Sequence, residues 1–188
     1  MLRSKYLRRF IILLLLFHFC NLRDVFAHAG QDHSHDDTAQ ITVERSTYAH
    51  FKSILAAYRE IYGNLINGEL NDISVLAQRL LDAASKGVQT EPEGSGRHMM
   101  EHIIQGAESL KKAEGLRKAQ KAFASISDDI IPFFKSWPNQ LNRNEIKLYQ
   151  CKEHGHYWLQ PQDISPACPY TLDRSLNCSD IEEVINKK

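Results

Sequence analysis

After Phe19 the chain has no apolar run long enough to cross a membrane, and nowhere does it carry a block of lysine and arginine. The first absence argues against a retained transmembrane helix, which needs about 20 consecutive apolar residues. The second removes the electrostatic footprint that nucleic-acid binding requires to displace condensed counterions. The balance of 23 basic against 23 acidic residues hides an asymmetry, because Arg3, Lys5, Arg8, Arg9 and Arg23 fall within the first 27 residues beside a single acid, Asp24. The remaining chain holds 18 basic and 22 acidic residues, a net charge of −4. No glycine-rich phosphate loop, Gly-x-Ser-x-Gly elbow or Cys-x-x-Cys-His haem site occurs, so no enzyme is expected. With 43% apolar residues in 188, the chain suits one ordinary core and not a repeat array or a wholly disordered protein.

What is present begins with an export signal. Met1 to Arg9 is basic, Phe10 to Phe19 is apolar apart from His18, and Val25 and Ala27 stand where a signal peptidase reads small residues. Residues 1–27 are therefore expected to be cleaved between Ala27 and His28. Cys20 would suit a lipid anchor, but Phe19 is bulky where that motif needs a small residue. Export leaves Cys151, Cys168 and Cys178, three thiols that cannot all pair within one chain in an oxidising periplasmic or secreted setting.

Residues 28–45 have no apolar periodicity at their start and read as a disordered, His-rich arm. Residues 46–138 read as an antiparallel four-helix bundle. Tyr48, Phe51, Leu55, Tyr58, Ile61, Tyr62 and Leu65 recur at three and four, predicting a helix from Ser46 to Ile66 that the Asn67-Gly68 pair ends. A second follows Asn71 or Asp72, with Gly87 just past its end. After the loop composition of Thr90 to Gly96, a third runs from His98 to Lys112. A fourth starts at Leu116 and includes Phe123, Ile126, Ile130 and Phe134, where Pro132 should kink or end it. His50 reads as a surface residue, and Phe133, Phe134 and Trp137 as core. In the Cys/His-rich tail, 139–188, Ile146 to Cys151 and Tyr157 to Leu159 are short and aromatic enough to form a β-hairpin turning at Glu153-His154-Gly155. Ser179 to Glu182 is a capping-box sequence, which predicts a short final helix over Asp180 to Asn186.

The helical segments ILAAYREIYGNLINGEL, ISVLAQRLLDAA and LRKAQKAFASISDDIIPFF, with the tail elements Tyr157-Trp158-Leu159 and Cys168-Pro169, resemble an exported helical domain of unknown function. That domain is found alone or fused to the membrane-fusion subunits of copper and silver efflux pumps. The tail is also similar to a small heavy-metal-binding module that opens Tyr-x-Cys-Pro-Met-His-Pro and closes Cys-Pro-x-Cys-Gly-Met. Tyr149, Cys151, His154, Cys168 and Pro169 match it, whereas Lys152 and Glu153 replace Pro-Met and Thr171 stands for the second closing cysteine. The resemblance implies a role in metal handling, with an efflux-pump membrane-fusion protein as partner.

Three constellations could hold copper or zinc. Cys151, His154, His156, Cys168 and Cys178 bring thiolates and imidazoles into one short segment, and Cys-x-x-His lets one tight turn offer two ligands. Disulfides among the same cysteines are the competing expectation. His98 and His102 lie at i and i+4 on a helix with Met99 and Met100 between them, a combination of imidazole and thioether that favours copper. Met99 occupies the position that a zinc-protease helix fills with Glu, so proteolysis has no support. His28, His33 and His35, with Asp32, Asp36 and Asp37, would gather a metal loosely. The leading expectation is an exported metal-binding accessory protein, copper first and zinc second. Its rival is a disulfide-stapled helical adaptor whose bundle face binds another protein without metal.

Overall fold

The computed structural model describes residues 41–136, 145–153, 155–171 and 181–183. The predicted cleavage at Ala27, the arm ligands His28, His33 and His35, and Trp137, His154 and Cys178 lie outside these residues.

Apolar residues at helical spacing fold into four helices, α1 (Tyr48–Asn67), α2 (Ile73–Thr90), α3 (Ser95–Lys111) and α4 (Leu116–Ser136). Helix α1 stops where the Asn67-Gly68 pair predicts. Gly68 takes a left-handed φ of 69°, and the N–H groups of Gly68 and Glu69 donate to the carbonyls of Leu65 and Asn64 at 3.0 and 2.8 Å. This closing pattern satisfies two carbonyls that the helix itself leaves unpaired. Among the described residues no helix is long and apolar enough to cross a membrane.

Three local expectations are corrected by packing. Gly87 does not end α2 but sits buried inside it; a Cβ there would stand 2.7 Å from the Met100 sulfur, so the missing side chain makes room for α3. Helix α3 begins at Ser95, before His98. Of the two outcomes expected at Pro132, ending α4 is not the one found, because the helix continues to Ser136. Proline removes one ladder donor, but its own carbonyl is well used, accepting from the Ile41 N–H at 3.2 Å and the Ser136 hydroxyl at 3.0 Å.

That Ile41 contact also corrects the arm. Val43 is buried and Ile41 packs on the core, while the Glu44 N–H donates to the Glu91 carboxylate at 3.1 Å. The folded body therefore starts by residue 41, ahead of the predicted boundary at 46. A two-residue apolar contact is too short to produce a helical or strand period, which is why pattern reading passes over it.

The tail forms β1 (Ile146–Cys151) and β2 (His156–Pro161), paired antiparallel with Cys151 opposite His156 and Ile146 opposite Pro161. Gly155, at φ 70°, donates its N–H to the Cys151 carbonyl at 2.8 Å and closes the predicted turn. The final helix is not found at the described positions: Ile181–Glu183 is a strand, β3, which pairs antiparallel with the other edge of β1. An uncovered edge of β1 would leave a row of backbone donors and acceptors, and satisfying it outweighs a local capping preference. The Lys147 ammonium meets the Glu183 carboxylate at 2.9 Å across this pair.

The hairpin is no separate tail. Ile146, Leu148, Tyr149, Trp158 and Leu159 belong to one hydrophobic cluster with the helices. The α1–α4 seam beneath it is aromatic, with Phe51 4.9 Å from Phe133 and Tyr58 stacked on Phe123 at 4.6 Å. Buried Gln160 locks strand to bundle. Its Oε1 accepts from the Tyr62 hydroxyl at 2.9 Å, the Trp158 indole at 3.1 Å and the Ala167 N–H at 3.2 Å. The Leu159 N–H donates to the Tyr58 hydroxyl at 3.2 Å, and that hydroxyl is 2.8 Å from Ser127 on α4. Burial raises the pKa of both tyrosines, so they serve as neutral hydrogen-bonding groups.

Candidate functional site

The third and fourth helices meet through a glycine. A Cβ at Gly106 would stand 2.6 Å from Ile126 Cγ1, so α3 and α4 approach closely there. One turn along the antiparallel pair, this approach brings His102 of α3 to Asp129 of α4, with Nδ1 3.5 Å from Oδ1. His98, one turn back on the same face, places its ring 4.3 Å from that of His102. Exposure is graded across the group: the side chains of His98, His102 and Asp129 are 66%, 23% and 7% exposed. Glu101 lies beside them, its carboxylate 3.9 Å from His98 Nδ1 and 3.7 Å from Arg97 Nε. An open depression of about 290 Å³ lined by Glu93, Gly94, Arg97, His98 and Glu101 gives solvent direct access to the exposed end.

Burial, and then the neighbouring charge of Asp128, push the Asp129 carboxyl up to about 7. Its titration thus falls in the range where an imidazole exchanges protons. At 3.5 Å the contact with His102 is too long for a short charge-assisted hydrogen bond.

The two methionines between the histidines part company. Met100 is fully buried, with its sulfur packed at Gly87 of α2. Helical geometry explains this, because successive residues turn by about 100° and Met100 lies roughly opposite the histidine face. The expected thioether ligand is therefore a core residue at position 100. Met99, partly buried, packs at the margin of the core.

On the hairpin, Cys151 is fully buried and Cys168 nearly so. Antiparallel pairing sets Cys151 directly opposite His156, which puts both side chains on one face of the sheet. His156 is exposed, and its ring lies 5.1 Å from that of Tyr170. The Tyr170 hydroxyl donates to the Tyr157 carbonyl at 2.8 Å and lies 3.1 Å from the Ser127 hydroxyl. Among the described residues no disulfide is found. Nor, among them, is any group of three or more His, Cys, Asp and Glu side chains gathered tightly enough to hold an ion as it stands.

Sequence reasoning placed His98 and His102 together and passed over Asp129. The available signal was a carboxylate three residues after Ile126 and four before Phe133, on a stripe that is otherwise apolar. Gln160 was missed as well, because an amide in a short strand ordinarily faces water. No protein-family model matches the chain, and it matches no curated protein and no solved structure.

Proposed function

We propose that the chain is an exported metal-binding accessory protein, copper first and zinc second, which captures or presents ions as cargo for a heavy-metal efflux or resistance system. The observation that carries this reading is the pair of imidazoles of His98 and His102, with ring centroids 4.3 Å apart on a solvent-facing helix surface. Two imidazoles at i and i+4 are spaced to share one ion, and their neutral nitrogens suit copper and zinc better than magnesium or calcium. In the tail, Cys151 and His156 stand opposite each other. There the reading adds His154, Cys168 and Cys178 as further ligands of a softer, thiolate-containing site. The efflux role rests on the resemblance of the helical segments and of the tail to pump-associated domains. The activity proposed is binding, without catalysis.

The deciding experiment is metal analysis of the purified exported chain by mass spectrometry under reducing and oxidising conditions, alongside a His98→Ala/His102→Ala variant. The reading expects bound copper or zinc, with one equivalent lost in the variant and thiolate-bound metal lost on oxidation. A chain that binds neither ion under either condition, or a variant with unchanged stoichiometry, refutes the helical site.

A further inference from the structure

We infer that Asp129 of α4 is the third ligand of the His98–His102 site, and that the site takes a borderline divalent cation, Zn²⁺ or Cu²⁺, through two nitrogens and an oxygen. The inference rests on the metal-binding reading above and names both the missing ligand and the class of ion.

The argument starts from Asp129 itself. Its side chain is 7% exposed, the neighbouring charge is the like charge of Asp128, and the one basic side chain within 4 Å among the described residues is His102. No hydrogen bond of a described residue ends on its carboxylate, whose distance to His102 Nδ1 is 3.5 Å. A buried carboxylate normally gathers donors or a cation, because withdrawing its charge from water is costly. Here the approach of α3 and α4 at Gly106 holds the group against an imidazole instead. His98 supplies the adjustable part. At 66% exposed it is little constrained by packing, so rotation about its side-chain bonds can bring a nitrogen toward the ion that His102 and Asp129 already flank. The three donors do not converge without the ion, and the exposed histidine makes closure around it inexpensive.

Ion class follows from the donors. Met100 turns to Gly87 and Met99 packs against the core, so the soft sulfurs that would favour copper(I) are both taken up in packing. Two imidazoles and a carboxylate form the ligand set of borderline divalent ions, with open positions left to water on the side of the exposed depression.

The test titrates Co²⁺ into the full chain with its thiols reduced. Cobalt on tail thiolates gives intense sulfur-to-metal charge transfer, whereas cobalt on nitrogen and oxygen gives only weak visible bands, so the two sites are read separately. Asp129→Asn is expected to weaken the charge-transfer-free site at least tenfold, and Met100→Leu to leave it within twofold. In the unmutated protein, Zn²⁺ is expected to shift the carboxyl ¹³C resonance of Asp129, a readout that does not depend on any variant folding. If the His98→Ala/His102→Ala variant loses the site while Asp129→Asn keeps it within twofold, or if Zn²⁺ leaves the Asp129 carboxyl unmoved, the third ligand is wrong and the histidine pair stands. If the double histidine variant binds Co²⁺ as the unmutated chain does, both the pair and its third ligand are overturned.

Discussion

Helix α4 has two unlike seams. Toward α1 it presents Phe123, Ser127 and Phe133 to aromatic partners, and the β2 strand covers that seam with Gln160 collecting three donors on one oxygen. Toward α3 it presents Ile126 to a glycine and Asp129 to a histidine at 3.5 Å. The first seam is wide, filled by large rings, and its polar groups are partnered inside the protein. The second is narrow, and its polar group faces an imidazole that opens to solvent. Large rings and satisfied hydrogen bonds make a seam that contributes stability, whereas a buried carboxylate on which no hydrogen bond of a described residue ends costs stability.

The difference can be broken from either side. The largest effect is expected at Gln160. Gln160→Leu leaves the buried Trp158 indole and the part-buried Ala167 N–H without their acceptor, while the Tyr62 hydroxyl keeps the Ala167 carbonyl at 3.0 Å, at about 1–3 kcal/mol per orphaned group, or about 4 kcal/mol together. Denaturant unfolding measures this, and a loss below about 1 kcal/mol would show that strand and bundle are only loosely joined.

Acidity probes the other seam. Asp129 rises from 3.8 to about 7 on folding, so between those values the folded protein holds a proton that the unfolded chain has released. Stability should therefore be highest below the lower value, fall as pH rises toward 7 and level off above, by at most about 4 kcal/mol. A positive charge on His102 would reduce the fall. Asp129→Asn should flatten this dependence in unfolding measured across pH, and an unchanged slope would place its origin elsewhere.

The far end of α4 is covered by the chain leading into α1. Removing residues 41–45 exposes Val43 and breaks the bond from Ile41 to Pro132. A chain starting at residue 46 should unfold about 2–3 kcal/mol more easily than one starting at 41. Equal stability would return the segment to the arm. At Gly106, Ala places a Cβ 2.6 Å from Ile126 Cγ1 and should cost about 2 kcal/mol by forcing α3 and α4 apart. The smallest effect belongs to a glycine outside both seams. A Cβ at Gly63 in α1 meets nothing within 4 Å, so Gly63→Ala should stabilise by about 0.5–1 kcal/mol through helix propensity alone. Opposite signs at the two glycines, read from melting curves, would confirm that α3 and α4 approach closely at Gly106.

Much of the fold was legible because its period is long and regular. Each of the four helices carries enough apolar residues at three and four to betray its face, and Asn67-Gly68 and Gly155 mark their turns through a left-handed backbone that glycine adopts without strain. The same reading put His98 and His102 on one face, since helical spacing alone does that. It could not find Asp129, whose partner lies 27 residues away in sequence on another helix.

By itself, then, the sequence determined the helices, the hairpin and the histidine pair, all of which depend on interactions among near neighbours along the chain. The tertiary structure decided what depends on distant ones. Gly87 became a contact point and not a helix end, and Gly106 a second contact point, because a neighbouring helix occupies the space of the absent side chain. Ile181–Glu183 became a strand because β1 had an edge to satisfy, and Met100 turned from ligand candidate to core because α2 lies on its side of α3. In each case local propensity is worth under about 1 kcal/mol per residue, and the packing or hydrogen bonding that overrode it is worth more.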